Sequence, residues 1–454
     1  MKRVKWSILL PALIIAVMFA AIPMRAATII LKRGLNLQSQ LTGVGNVFVV
    51  NGSFDLGGDT IQLPGKSVIK FGKGGRLQNG VIRGSNSRII ADNREIFRNV
   101  NVAGTWRQTD VYGRWFRAPG GRKPANQYFC NLMLLCKGDS MTRLYTPAAT
   151  YYVEAVRKSA PILMPSNVYW QNRSTIMMLP CSYDFFNTVY IHRQRNVTID
   201  GGTFIGDSRT HTGTKGEWGH GIRCGGSENV VIKNVTSSYC WGDGIDLIEG
   251  DDSDGNATVN CRNVLIENVR CRNNRRQGLS IEAAENVVVK NSEFSGTGHP
   301  AFTEPGAGID IEPWTGLEGK IKNVTIDNCR FSNNKGPDLR CHTYFYKNGM
   351  PRTGGDVEIK NCTMGVCEFR NAIGAKVENC NITERLQIRD SKQIDFENCV
   401  IEKYKEIGKC SAIEFRQCEV LDNTGLVIGM AVGTGVLAAL LIPNCKYQIS
   451  NSGT

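Results

Sequence analysis

Asn229-Val-Val-Ile-Lys-Asn234, Asn263-Val-Leu-Ile-Glu-Asn268, Asn286-Val-Val-Val-Lys-Asn291, Asn323-Val-Thr-Ile-Asp-Asn328 and Asp356-Val-Glu-Ile-Lys-Asn361 are five versions of one short strand. Apolar and polar residues alternate within each, which is the period of a strand and not of a helix. Looser copies follow at Lys376-Val-Glu-Asn379, Phe396-Glu-Asn398 and Phe415-Arg-Gln417. The closing residue advances by 18 or 19 positions from Asn361 through Asn379 and Asn398 to Gln417, and by 23 to 37 in the earlier copies. A constant strand with a variable remainder describes a coil with loops inserted on one side. One coil cannot bury its apolar face, whereas stacked coils build a continuous core, so the repeat predicts an all-β solenoid, a single-stranded parallel β-helix.

The closing Asn falls at a tight bend, where its amide can hydrogen-bond the same Asn of the coils above and below. Cys329, Cys362, Cys380, Cys399 and Cys418 each follow that bend residue. Sixteen cysteines in an exported chain would ordinarily suggest a disulfide framework. Five in one column, with no CxxC pair and no Cys/His finger spacing, instead suggest buried thiols stacked like other small side chains. The Asn-Val-Thr triplets at Asn196, Asn234 and Asn323 match a glycosylation sequon but are by-products of the repeat.

Working outward from the repeats, residues 166–422 form the predicted β-helix. Residues 28–118 read as short strands broken by glycine pairs, an N-terminal cap and first irregular coils that cover an otherwise open sheet edge. Residues 119–165 read as a loop and helix insertion, the helix spanning Asn126 to Lys137. Residues 423–454 read as a C-terminal capping segment. The apolar, uncharged run 425–443 within it leaves a membrane segment open as the alternative. At the other end, Lys2, Arg3 and Lys5 precede an apolar run from Ser7 to Ile22 and small residues at Ala26-Ala27, so residues 1–26 read as a secretory signal, with an uncleaved anchor as the alternative. Either way the rest is expected to be exported, as a secreted, periplasmic or cell-surface protein.

The 454 residues carry a formal net charge of +13, and without Lys2, Arg3, Lys5 and Arg25 about +9 remains. A basic exported chain favours anionic partners such as uronic-acid polymers or sulfated glycans. Nucleic acid is not expected, because the basic residues are scattered among acidic ones and form no stripe.

The Asn-Val-x-Ile-x-Asn repeats, the Gly-x-Gly-Ile-Asp segments at Gly242 to Asp246 and Gly306 to Asp310, and Trp115-Phe116 together resemble the pectate-lyase-like superfamily over residues 28 to 420. That resemblance implies a right-handed β-helix. It also implies one of several roles, since the group includes polysaccharide lyases, polygalacturonase-type hydrolases and phage tailspikes; spikes of this kind are often trimers. Trp218-Gly219-His220-Gly221 and Trp241-Gly242-Asp243-Gly244-Ile245-Asp246 look like fragments of polygalacturonase motifs. Their order is reversed from that family and its paired-Asp segment is missing, so the resemblance speaks to fold more than to reaction.

Aligning the second strand of successive coils on Ile222, Ile245, Leu279, Ile309 and Leu339 puts Arg223, Asp246, Ser280, Asp310 and Arg340 in one outward column. Two residues on, a parallel column reads Gly225, Ile248, Glu282, Glu312, His342. With coils about 4.8 Å apart, Asp246 and Asp310 should lie roughly 9 to 10 Å apart, Asp310 and Glu312 about 7 Å, and Glu282 and Glu312 about 5 Å. The first two spacings suit the acid and base of an inverting glycosidase, and the third would raise one pKa and prepare a proton donor. Asp246, Glu282, Asp310 and Glu312 are therefore the candidate catalytic residues.

Trp218, Trp241 and Trp314 offer faces for sugar stacking. Arg223, Arg275, Arg276 and Arg340 could hold uronate or sulfate groups, and His220, Asp243 and His342 complete the candidate substrate contacts. Three functions follow: glycosidic hydrolysis of a polysaccharide, elimination by a polysaccharide lyase, or non-catalytic glycan binding. No cofactor or metal is expected of a hydrolase or a binder; a lyase would bring Ca²⁺ to Asp243 and Asp246. The bland alternative is an outward column that is simply a solvated salt-bridge ladder.

Overall fold

A computed structural model describes residues 26–250, 259–313, 321–342, 356–425 and 447–448. The repeat strands collect into one parallel sheet of 12 described strands, running from Asp110–Tyr112 to Ser411–Arg416. Val230, Val264, Val287, Val324 and Val357 pair in register there, as do Ile232, Ile266, Val289, Ile326 and Ile359. All ten are buried, because alternation turns every second side chain inward and stacking puts like on like. After the closing Asn each coil has a short second strand, as in Thr236–Ser238, Arg270–Arg272 and Glu293–Ser295. A third strand follows after a turn, as in Trp218–Gly225, Ile245–Ile248, Leu279–Ile281, Ile309–Ile311 and Leu339–His342. In the tighter C-terminal coils the second and third strands merge into single strands such as Thr363–Arg370 and Asn381–Arg389. The fold is a right-handed parallel β-helix.

Asparagine works at both ends of the repeat strand. Asn229, Asn263, Asn286 and Asn323 at its start have φ of 55, 54, 57 and 51°, and Asn234, Asn268, Asn291 and Asn328 at its end have φ of 58, 50, 53 and 50°. Asparagine tolerates this left-handed region better than most residues. Each start residue donates its amide to the carbonyl oxygen of the one below, at 3.2 Å from Asn229 to Asn196 and 3.0, 3.0 and 2.9 Å through Asn263, Asn286 and Asn323. The bend end repeats the device, with Asn268 on Asn234 at 2.8 Å and Asn328 on Asn291 at 2.7 Å.

The cysteines that follow the bend are free and buried. Each thiol of Cys329, Cys362, Cys380, Cys399 and Cys418 donates to the carbonyl two residues back, at 3.1 to 3.4 Å. Ser292 and Ser391 make the same contact in other coils, at 2.7 Å. The column is thus a set of small donors that satisfy the bend carbonyl, and cysteine adds apolar bulk to that task.

Toward the N-terminus, residues 28–106 form a separate set of seven parallel strands. The boundary falls before Asp110–Tyr112, which already joins the long sheet. The helix spans Asn126–Cys136, but the rest of 119–165 is not an insertion: Thr142–Thr146, Thr150–Val153 and Ile162–Leu163 are rungs of the two long sheets. These strands carry no closing Asn, and that hides them in the sequence. At the C-terminus Glu419–Gly425 pairs antiparallel with Tyr447–Gln448. Residues 1–25 and all of 425–443 but Gly425 lie outside the described residues, and no described helix is long and apolar enough to cross a membrane.

Asn286→Ala should cost about 1–2 kcal/mol, because Ala loses the ladder bonds and is strained at positive φ. Asn286→Gly, freed of the strain, should cost less, and equal midpoints for the two variants in thermal melting would show that the ladder and not the backbone conformation carries the effect.

Candidate active site

The third strands position the candidate chemistry. Arg223, Asp246, Ser280, Asp310 and Arg340 occupy one unbroken register, continued by Glu368, Gln387 and Lys405. Their inward neighbours Ile222, Ile245, Leu279, Ile309 and Leu339 are fully buried. Glycine precedes four of those five neighbours, at 221, 244, 278 and 308. A Cβ on any of these glycines would come within 3.0 Å of the carbonyl oxygen of the next coil. The Gly-Ile-Asp pattern is therefore first a requirement of tight coil stacking.

The column is not the solvated ladder that strand alternation alone suggests. Asp310 is 0% exposed, Asp246 1%, Glu312 5% and Glu282 7%. Turns between the second and third strands, 239–244 and 273–278, contribute partners from the side. Arg276 stands at the centre, donating Nη1 to Asp243 Oδ2 at 3.0 Å and Nη2 to Glu312 Oε1 at 2.8 Å, with Glu217 at 3.6 Å from its Nε. Gln277 Nε2 donates to Asp310 Oδ2 at 3.2 Å and to Glu312 Oε1 at 2.8 Å. A single shared nitrogen holds these two oxygens within about 6 Å of each other, nearer than the separation that strand geometry gives. Ser280 Oγ donates to Asp243 Oδ2 at 2.9 Å and also contacts Gln277 Oε1.

His220 lies between two carboxylates. Its Nδ1 lies 3.2 Å from the Asp243 backbone nitrogen and 3.3 Å from Asp243 Oδ2, and its Nε2 faces Asp246 Oδ2 at 3.6 Å. Arg223 Nε is 3.3 Å from the same Asp246 oxygen, and Arg340 is 3.7 Å from both Asp310 and Glu368. Among the described residues neither oxygen of Asp246 receives a hydrogen bond, and one oxygen each of Asp243 and Asp310 is likewise unpartnered. Buried acceptors without donors are the kind of group that ligand hydroxyls satisfy.

The acids are pushed in opposite directions. Burial raises Asp243, but Arg276 and His220 outweigh it and hold its pKa below the ordinary carboxylate value. Burial, then the charges of Asp246 and Glu312, push Glu282 well above its ordinary value. Asp310 is raised well above by burial and by Glu312, against the pull of Arg340. Glu312 is raised by burial and drawn back by Arg276 and Gln277.

Other predicted contacts sit differently. Trp241 is a buried packing residue, its indole between the His211 ring at 3.8 Å and the Arg275 guanidinium at 3.7 Å. Its face is therefore not open to a sugar. Trp218 is 40% exposed, its ring tilted 58° to that of Phe185 at 6.2 Å. His342 is buried and pairs in register with Arg370 on the next coil, and Trp314 lies outside the described residues. Asp243 and Asp246 do not suit Ca²⁺, which asks for six to eight oxygens; their neighbours are His220, Arg223 and Arg276. Sequence reasoning passed over Gln277, Ser280 and Glu217. Ser280 was visible in the aligned column, whereas the other two come from turns of no fixed length.

Residues 165–336 match the family described as right-handed beta helix region. Over 212 residues the chain is 30% identical to the uncharacterized protein YclG of Bacillus subtilis (strain 168), covering 42% of this chain and 36% of that one. Over 197 residues it is 30% identical to the SPbeta prophage-derived uncharacterized protein YorA of the same organism, covering 40% and 33%. The match thus spans about a third of the length of these curated relatives. Among solved structures, the A-module of the mannuronan C-5 epimerase AlgE6 of Azotobacter vinelandii superposes with a TM-score of 0.53 at 12% identity, over 70% of this chain and 88% of that one. At that identity the likeness is one of fold.

Arg276→Met should destabilise the protein by about 3–5 kcal/mol, because it strands two buried carboxylates. Adding Glu312→Gln should recover part of the loss; a strictly additive double mutant would show that the pair is not coupled. The raised Asp310 stabilises the fold fully only below its unfolded pKa, and that contribution is lost as pH rises through the folded value. Asp310→Asn should therefore lessen the fall in melting temperature as pH rises above the ordinary carboxylate range, and parallel falls in variant and parent would remove Asp310 as the cause.

Proposed function

From a chain with the right-handed β-helix fold of the pectate-lyase-like superfamily, we propose an exported carbohydrate-active protein that binds a polysaccharide along its third strands and hydrolyses it at Glu282 and Glu312. The observation that carries this reading is the placing, on consecutive coils, of a carboxyl pushed well above its ordinary pKa beside one whose rise is drawn back by a bound cation. Burial, then the charges of Asp246 and Glu312, push Glu282 well above its ordinary value and favour its protonated form. Glu312 is gripped by Arg276 and Gln277, which favour its ionised form. Both retain slight exposure, while Asp243 and Asp310 have none. The first pair can therefore touch a sugar, and the second backs it electrostatically.

Consecutive coils set Glu282 and Glu312 about 5 Å apart, the separation that a retaining glycosidase uses for its acid and its nucleophile. Glu282 would protonate the glycosidic oxygen and Glu312 would attack the anomeric carbon. Environments that drive two carboxyls apart in pKa are how one site supplies both roles at one pH. The export reading rests on the basic-then-apolar start, Lys2 to Ile22. The net positive charge, about +9 without Lys2, Arg3, Lys5 and Arg25, favours an acidic polymer at long range. Within the site, however, Arg223, Arg276 and Arg340 each lie beside a carboxylate, so neutral glucans belong in the test as well.

Incubation with acidic and neutral polysaccharides should release reducing ends without the near-ultraviolet absorbance of an unsaturated uronate. Absorbance rising with the reducing ends would replace hydrolysis by elimination, and retention on a glycan without product would leave a binding protein. Glu282→Gln should lower turnover by between about a hundredfold and ten-thousandfold. The rate should fall as pH rises through the raised Glu282 pKa, since the donor must be protonated; a rate that climbs steadily through neutral pH would exclude Glu282 as the acid.

A further inference from the structure

Cys181, on the loop between the strands Thr175–Met178 and Phe185–His192, meets Asp207 and His211, on the loop that follows the strand Thr203–Ile205 one coil on, next to Trp241; they offer a thiol, a carboxylate oxygen and an imidazole nitrogen that all lie within 4.8 Å of one another. His211 Nδ1 is 2.9 Å from Asp207 Oδ2 and 3.8 Å from Cys181 Sγ, so both partners converge on the same ring nitrogen. A hydrogen-bonded triad would divide its partners between the two nitrogens, whereas a shared side is what a common ligand for all three requires. The Cys181 backbone N–H donates to the same Asp207 oxygen at 3.0 Å and fixes the thiol next to it.

The side chains of Asp207 and His211 are 0% exposed. Asp207 Oδ1 and His211 Nε2 are buried without a hydrogen-bond partner among the described residues, and the ion pair that Asp207 makes is with His211 alone. A buried carboxylate with one oxygen left unpartnered is costly. Thiolate and carboxylate together carry two negative charges, which a divalent cation cancels.

We propose that Cys181, Asp207 and His211 bind one divalent transition-metal ion of the zinc class. Mixed sulfur, nitrogen and oxygen donors select Zn²⁺ and its substitute Co²⁺ over Ca²⁺ or Mg²⁺. Binding forms the sulfur–metal bond and breaks the S–H bond, and the proton leaves to solvent. Three protein donors leave a fourth tetrahedral position to water. The ion would brace the wall of the candidate active site, because His211 stacks on Trp241, and Trp241 carries Arg275, the neighbour of Arg276, on its ring.

The test uses the full chain, stripped with chelator and titrated with Co²⁺ alone, read by absorbance and by metal content. One equivalent should bind with a thiolate-to-cobalt charge-transfer band in the near ultraviolet. Cys181→Ser and Asp207→Asn should abolish the band, and Cys130→Ser, which removes the exposed thiol, should leave it. Zn²⁺ should raise the melting temperature of the parent and not of Cys181→Ser, a readout independent of any activity. A band that survives Cys181→Ser, or a stripped protein that takes up no Co²⁺ and does not melt higher with Zn²⁺, would overturn the assignment.

Discussion

Like sits on like at the rise of one coil, and every other feature of this molecule answers to that spacing. A parallel strand pair brings equivalent side chains to about 4.8 Å, so each position along the coil is repeated as a column. An apolar column is a core; a polar one must find bonds along its own axis. Asparagine amides meet that demand at both ends of the repeat strand, and thiols and hydroxyls meet it just past the bend. Where the column is carboxylate, repetition makes neighbours repel. The structure answers with Arg223 and Arg340, which flank the stretch from Asp246 to Asp310 along the column, and with Arg276 and Gln277 brought in from the side.

The fold was legible because the repeat strand is short, periodic and closed by an unusual residue. The sequence showed less clearly where that residue is missing. Thr142–Thr146 and Thr150–Val153 are rungs without a closing Asn, so in the sequence they look like part of an insertion. The Gly-Ile-Asp segments illustrate the opposite trap. They look like catalytic fragments, yet Gly221, Gly244, Gly278 and Gly308 are required by the close approach of the next coil.

The candidate site was legible along the strand and opaque across it. Register follows from alternation, so the order Arg223, Asp246, Ser280, Asp310, Arg340 could be written down in advance. Burial could not, because it is produced by turns whose lengths differ from coil to coil. The same turns supply Gln277 and Glu217, and they turn Trp241 from a candidate sugar platform into a packed ring. Cys181 and Asp207 are 26 residues apart, and only the stacking of their coils brings them together.

All fifteen described cysteines are free, and this has a mechanical side. Among the described residues no disulfide cross-links one coil to the next, so a chain pulled from one end meets only the resistance of a single coil interface at a time. The merged C-terminal coils, with their 18- and 19-residue steps, would each release about 60 Å of extended chain before the next interface takes the load. Such a rod yields in near-equal increments, more like a zip than a clasp.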